Sequence, residues 1–280
     1  MWHCADVIAA IAFVFGLVVG SFLNVCIRRI PAGVSIVHPR SRCPACQAPI
    51  RAADNIPVVS YLLLRGKCRA CGAKISPVYP AVELLTAILF LACYLKFGLT
   101  AAGAKWGVFS ALLVVLIFTD ILERILPDAL NFSGLGFALG LSLFLPVGDG
   151  TALWLANRMF EFPPPAPVLS LVDALLGAAL GSGLLWVVAE GYFRLRGREG
   201  MGLGDVKMMA MVGAFFGVKR TLLTILLGSV LGTIVGLFLI SMFRKGSDYE
   251  LPFGTFLGGA ALLVVMFGTP VLEWYLSLFG

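Results

Sequence analysis

The sequence predicts an all-α polytopic membrane protein of about eight transmembrane helices, with a small cytosolic zinc-binding domain between the first helix and the second. Three observations predict it. Hydrophobic residues make up 60% of the 280 and charged residues only 13%, against roughly 25% charged in an ordinary soluble domain. Apolar stretches close to the ~20 residues a helix needs to cross a bilayer recur along almost the whole chain, without the alternation of a membrane barrel. One segment, Arg28 to Tyr79, is polar enough to fold outside lipid and carries four of the seven cysteines as two close pairs.

The expected spans are 7–27, 80–98, 105–120, 129–146, 168–190, 205–217, 221–243 and 253–277. The sixth is short and only Lys219 and Arg220 separate it from the seventh, so seven is the alternative count. The first span has no basic region ahead of its apolar run and is followed by Arg28 and Arg29, the reverse of a cleaved signal, so it is expected to stay attached. Lys and Arg gather on the cytoplasmic side of membrane proteins. With residue 1 outside, the inner segments, including Arg244 and Lys245, hold 16 of the 21 Lys and Arg. The outer segments hold five: Lys96, Lys105, Arg158, Lys219 and Arg220. This predicts both termini outside, and the +6 formal charge suits the anionic headgroups of an inner leaflet. No basic and aromatic interleaving on a soluble domain points to nucleic acid.

The domain order that follows is a first transmembrane helix at 1–27, a cytosolic domain at 28–79 and a membrane domain at 80–280. The stretch 147–167, with "VGDG" and "EFPPPAP", reads as an extended, proline-stiffened connector on the outer side. No internal repeat is evident.

A domain of about 50 residues buries little core and usually needs a staple. Cys43-Pro-Ala-Cys46 and Cys68-Arg-Ala-Cys71 supply one, with 21 residues between the pairs, just beyond the usual spacing of about 15 to 20. Each pair offers two thiolates from one tight turn, and Zn2+ takes four tetrahedrally. The neighbours Arg42, Lys67 and Arg69 favour the thiolate forms. A redox use of CxxC is the alternative, though no thioredoxin-like strand and helix pattern surrounds either pair. Four thiolates close the coordination shell, so a structural metal is expected. Cys4, Cys26 and Cys93 lie at or in spans and read as small packing residues.

Acids near the membrane are costly and need a partner or a task. Asp120 ends the third span in "LIFTDILERILPDAL" and Asp205 begins the sixth in "GLGDVKMMA". The third span runs outside to inside and the sixth inside to outside, so both aspartates arrive at the inner face. Two adjacent carboxyl groups share a proton, and such a pair suits the activation of water against a peptide carbonyl. Competing readings stand beside this one. Asp205 also fits a helix N-cap, Asp120 an i,i+4 pair with Arg124, and Asp128 is the alternative partner for Asp205. Lys207 is assigned a supporting role as partner of a carboxylate or a lipid phosphate. Gly202 and Gly204 remove side chains where an extended substrate would approach Asp205.

"GLGD" at 202–205 fits the GxGD signature of intramembrane aspartyl proteases. With "TDILERILPD" at 119–128, the double CxxC, "GSFLNVCIRRIP" at 20–31, "DNIPVVSYLLLRGKCRACGAKIS" at 54–76 and "YPAVELLTA" at 79–87, the chain resembles the bacterial type IV prepilin peptidases. The resemblance implies a multi-pass inner-membrane enzyme whose active site faces the cytoplasm and whose termini are periplasmic. It implies cleavage of a short basic leader from prepilins or type II secretion pseudopilins, followed by N-methylation of the new amino terminus from S-adenosylmethionine. By motif position Asp120 and Asp205 are the catalytic pair, and Cys43, Cys46, Cys68 and Cys71 the metal ligands. Methyl transfer rests on the resemblance alone, because no GxGxxG opens a strand and helix unit. Asn24 and Glu83 match family positions beside the cytosolic domain, and the resemblance offers them as contributors to the S-adenosylmethionine site; satisfying helix ends is their other reading. A basic leader must find acids on a basic face, and Asp54, Glu83, Glu123 and the two aspartates are the candidates. A peptidase without methyl transfer and a proton-coupled transporter are the alternatives.

Overall fold

The computed structural model describes residues 2–198, 200–243 and 252–278. Arg244 and Lys245, counted among the inner charges, and the side chain of Cys4 lie outside the described residues. The elements are α1 (Trp2–Arg29), α2 (Val59–Leu63), α3 (Val78–Phe97), α4 (Ala101–Glu123), α5 (Asp128–Ser142), α6 (Thr151–Met159), α7 (Ala166–Arg196), α8 (Leu203–Phe243) and α9 (Phe253–Ser277). Among the described residues there is no strand, only two isolated antiparallel bridges, Arg42 with Pro49 and Lys67 with Lys74. Among the described residues six stretches are long and apolar enough to cross a membrane: Ala5–Arg29, Val78–Phe97, Ala101–Glu123, Ala166–Arg196, Leu203–Leu239 and Phe253–Tyr275. The 15 residues of α5 reach only about 22 Å, short of a ~30 Å hydrocarbon core.

The expected sixth and seventh spans together form α8. Gly217, at φ 75° and ψ −171°, breaks it into two arms. Met209 O and Thr221 Cγ2 both lie against Gly181, 2.4 and 3.0 Å from where its Cβ would stand. In a continuous helix those two residues would be about 18 Å apart, so the chain turns back on itself at Gly217.

Two compact units divide the chain, Met1–Thr119 and Asp120–Gly280, and the division falls within α4. In the first, α1 packs along α3 through Gly16 and Gly20: a Cβ on Gly16 would meet Ala87 Cα at 2.6 Å, and one on Gly20 would meet Glu83 Cα at 2.7 Å. Small residues one turn apart bring two backbones this close, which is how helices gain packing where lipid removes the hydrophobic drive. On the other side of α1, Val7, Ile11, Val14, Phe15 and Val18 are all more than half exposed, a stripe that suits lipid rather than water.

In the second unit the first arm of α8 is the core. Met208, Met209, Met211, Val212, Phe215 and Phe216 are at most 1% exposed, so this arm is apolar on every side and packed by α5, α7 and α9. The stretch 147–167, expected as an extended connector, instead holds α6 and a polar clamp. Its run Thr-Ala-Leu-Trp-Leu-Ala-Asn-Arg-Met buries Ala152 and Ala156. Asp173 on α7 caps α6, accepting the N–H of Gly150 at 3.2 Å and of Ala152 at 2.7 Å. Asp149 accepts the N–H of Lys219 at 2.9 Å, while Lys219 Nζ donates to Asp149 O at 2.8 Å. A Cβ on Gly217 would stand 2.5 Å from Asp149 Cβ. Buried carboxylates that accept backbone N–H groups at the reversal hold it in place, which proline-rich composition concealed.

Where α7 crosses α8, a Cβ on Gly177 would stand 2.2 Å from Gly213 O, and one on Gly213 2.1 Å from Gly177 O. Either Gly→Ala change is expected to push the helices apart, costing about 1–3 kcal/mol and lowering the unfolding midpoint in detergent by several degrees. Gly183→Ala, where the space is open, is the control expected to leave the midpoint unchanged.

Candidate active site

Asp120 lies in the last turn of α4 and Asp205 in the first turn of α8; they are 6% and 7% exposed. A Cβ on Gly254, in the first turn of α9, would stand 2.8 Å from Asp205 Oδ1 and 3.1 Å from Asp120 Oδ2. The two carboxyl groups therefore converge on one point, their separation bounded by the sum of those distances, and only a hydrogen on Gly254 fits there. Thr255 donates twice to Asp120 Oδ2, from its backbone N–H at 2.7 Å and from Oγ1 at 2.9 Å. That N–H belongs to the first turn of a helix, its other acceptor being Pro252 O at a longer 3.3 Å, and the positive end of α9 thus faces a carboxylate.

Asp205 is not an N-cap, because α8 begins at Leu203 and the Asp205 N–H donates to Gly202 O at 3.1 Å. Asp128, the alternative partner, is engaged elsewhere: Lys207 Nζ lies 2.8 Å from both of its carboxylate oxygens and over the Phe132 ring, 5.7 Å from its centroid. Lys207 thereby ties the start of α5 to the first arm of α8. The two glycines differ. Gly202 faces open space, whereas a Cβ on Gly204 would stand 3.0 Å from Leu126 Cβ, and the Leu126 side chain also reaches the Gly254 site at 2.8 Å. Gly204 makes room for Leu126. Gly254 and Thr255 were not singled out from sequence; the available signal was a glycine just inside an apolar helix start, the same pattern as Gly204-Asp205.

In the other unit the Sγ atoms of Cys43, Cys46, Cys68 and Cys71 all lie within 4.8 Å of one another, Cys43 and Cys71 at 3.9 Å. A tetrahedron of thiolates about 2.3 Å from a metal has edges of about 3.8 Å, so the four fit a metal ion. The two pairs sit in matching turns. Cys43 and Cys68 donate their N–H groups to Ala48 O and Ala73 O at 3.0 and 2.8 Å, and Gln47 and Gly72 each take positive φ directly after the second cysteine. "CPACQAPI" and "CRACGAKI" are thus one short repeat, where no internal repeat was expected. The N–H groups of Cys46 and then Ala45 hold the Cys43 thiol down to about 6. For Cys71 the Ala73 N–H acts to lower the value, but the thiols of Cys46, Cys68 and Cys43 crowd it and carry it up to about 11. No disulfide joins the described cysteines.

Asp54 is bidentate with Arg69, at 2.7 Å from Nη2, and that hydrogen bond holds its carboxyl below the usual range. Glu83 is buried, its Oε2 accepting the Val58 N–H at 2.7 Å. Neither acid is turned outward to meet a basic leader; Glu123, at the end of α4, is exposed. Glu83 and Asn24 instead face a cavity of about 820 Å³ between the end of α1, the start of α3 and the cysteine domain. Asn24 Nδ2 donates to Tyr79 O at 3.0 Å there, which ties α1 to the start of α3.

Two aspartates at one point of a helical membrane bundle form the arrangement expected of an intramembrane aspartyl protease. The bacterial peptidase A24 N-terminal domain matches residues 14–97, and the type IV leader peptidase family matches residues 107–237. The prepilin leader peptidase/N-methyltransferase of Aeromonas hydrophila is 36% identical over 96% of this chain and 94% of its own. That of Pseudomonas aeruginosa is 36% identical over 95% and 92%, and that of Bacillus subtilis 32% identical over 96% and 98%. No solved structure matches. The chain belongs to the type IV leader peptidase family.

Proposed function

We propose that this protein removes the basic leader from type IV prepilins or type II secretion pseudopilins at the cytoplasmic face of the bacterial inner membrane, then N-methylates the exposed amino terminus with S-adenosylmethionine. The observation that carries the peptidase half is the convergence of Asp120 and Asp205 on Gly254. Asp120, with two donors on Oδ2, is the base. It takes a proton from water as the water oxygen attacks the scissile carbonyl carbon, while Asp205 gives its proton to the carbonyl oxygen. As the C–N bond breaks, Asp120 passes its proton to the leaving amine and Asp205 recovers one from the gem-diol. Open space at Gly202 gives a substrate strand access, and the Lys207–Asp128 pair steadies the helix start that carries Asp205. Exposed Glu123, three residues beyond Asp120, is the acid for the basic leader.

The relatives' names and their near full-length identity support the methyltransferase half. S-adenosylmethionine supplies an electrophilic methyl carbon to the free amine, the electron pair of the broken C–S bond staying on sulfur. Zn2+ is the metal of the four thiolates, and its role is structural, since no coordination position stays open. Within 28–79 only Cys43 and Ser60 are buried, so the metal takes the place of a core. That segment is the methyltransferase-associated domain and 80–280 the peptidase domain; both termini are periplasmic, and lipid surrounds the spans.

Asp120→Asn and Asp205→Asn are each expected to cut cleavage of a model prepilin by roughly a thousandfold or more in folded, purified protein. Full cleavage by either variant would sink the dyad. Thr255→Val removes one of two donors and is expected to lower kcat roughly tenfold to a hundredfold, with Thr255→Ser restoring most of it. Cys43→Ser and Cys68→Ser are expected to lose the bound zinc, read by metal analysis. Because Cys71 stands at about 11 in the metal-free site, zinc uptake at neutral pH must release its proton. Calorimetric heats that vary with buffer ionisation check this, and zinc affinity is expected to fall as pH falls.

A further inference from the structure

The cysteine domain is strongly basic: residues 28–79 hold nine Lys and Arg against a single acid, Asp54, which Arg69 already binds. Both of its ends run directly into membrane spans, α1 and α3, so it cannot leave the bilayer surface. Within it, α2 has two unlike faces. Ser60 is buried, its hydroxyl accepting the Ile56 N–H at 2.9 Å and donating to Ala53 O at 3.0 Å, and Tyr61 and Leu64 line the cavity. Val59, Leu62 and Leu63, spaced i, i+3, i+4, form the other face and are 47%, 67% and 76% exposed. Glu83 on α3 anchors the start of this helix, its Oε2 accepting the Val58 N–H at 2.7 Å. Val58 meets it at φ 60° and ψ −47°, a strained conformation for a β-branched residue. That bond fixes how α2 is turned, and the fold holds the apolar ridge outward at the cost of the strain.

Three large apolar side chains on one fixed face call for a cover other than water. Their neighbours select it. Arg65, at φ 51°, and Lys67 follow α2 at once and are both exposed. Their turn closes back on the helix, the Gly66 N–H donating to Tyr61 O at 2.9 Å and the Lys67 N–H to Leu64 O at 3.0 Å. Apolar side chains beside exposed cations suit the boundary of an anionic lipid layer, where chains meet phosphates. We propose that the cysteine domain docks on anionic headgroups of the bilayer that holds α1 and α3, with Val59, Leu62 and Leu63 inserted and Arg65 and Lys67 on the phosphates. The proposal rests on the spans and not on the reaction assigned to the enzyme. Docking also neutralises a basic surface that would otherwise repel a basic leader.

Hydrogen exchange of residues 58–67 tests this in the full-length zinc-loaded protein, held in nanodiscs of phosphatidylcholine with or without phosphatidylglycerol. Exchange is expected to slow several-fold with phosphatidylglycerol at low salt, and the slowing to fade as salt screens the exposed charges. Leu62→Ser combined with Leu63→Ser, both at exposed positions, is expected to lose this protection while keeping its zinc. Equal exchange in the two lipids overturns docking. So does full protection in the serine double variant, because the ridge is then not inserted. Soluble glycerophosphoglycerol that protects phosphatidylcholine nanodiscs as well as the anionic bilayer does shows an anion site independent of lipid, and overturns the proposal. Protection that grows with protein concentration in either lipid assigns the ridge to a second copy of the chain, and overturns it too.

Discussion

The structure depends on one constraint: two carboxyl groups from helices distant in sequence must approach one backbone position where any side chain would collide with both. Gly254 satisfies it, since a Cβ there would lie 2.8 Å from Asp205 Oδ1 and 3.1 Å from Asp120 Oδ2. Around that point each element has a definite task. α9 begins there so that the N–H and hydroxyl of Thr255 reach Asp120, Leu126 fills the space left by Gly204, and Lys207 holds Asp128 away from the pair. Buried acids are tolerated because helix-start N–H groups serve them in place of water.

The same exchange of backbone donors for solvent recurs far from the dyad. Asp173 caps α6, Asp149 holds the turn at Gly217, and Glu83 takes the N–H of a strained Val58. In each case a carboxylate on or near an apolar helix secures irregular chain that packing alone would not fix. Close helix contacts supply the complementary rigidity: Gly16 and Gly20 against α3, and Gly177 against Gly213, let backbones touch where side chains would separate them. The cysteine domain solves a different problem, too few buried side chains, with four thiols gathered at one point.

Much was legible before any coordinates. Every expected span except those on either side of Gly217 corresponds to a separate helix, because ~20-residue apolar runs leave lipid no other backbone solution. The gathering of the four thiols was legible because two residues between cysteines is the spacing of one tight turn. Asp120 and Asp205 were legible as costly acids placed alike at span ends. Less visible were the contacts made by ordinary residues. Gly254 and Thr255 carry no unusual composition, and the proline-rich stretch hid α6 and the Asp149 clamp because prolines outside a helix say nothing of the run between them.

The sequence by itself determined that this is a helical membrane protein with a four-thiol domain, and it restricted the candidates for a paired acid to three: Asp120, Asp128 and Asp205. Those properties follow from hydropathy and local spacing, which act over a few residues. Tertiary structure alone decided which two acids meet, that α8 doubles back at Gly217, and that Asn24 and Glu83 share one cavity with the cysteine turns. Each of these depends on pairs separated by tens of residues, for which no local rule exists, and on glycines whose meaning lies in the neighbour that occupies the missing side chain's place.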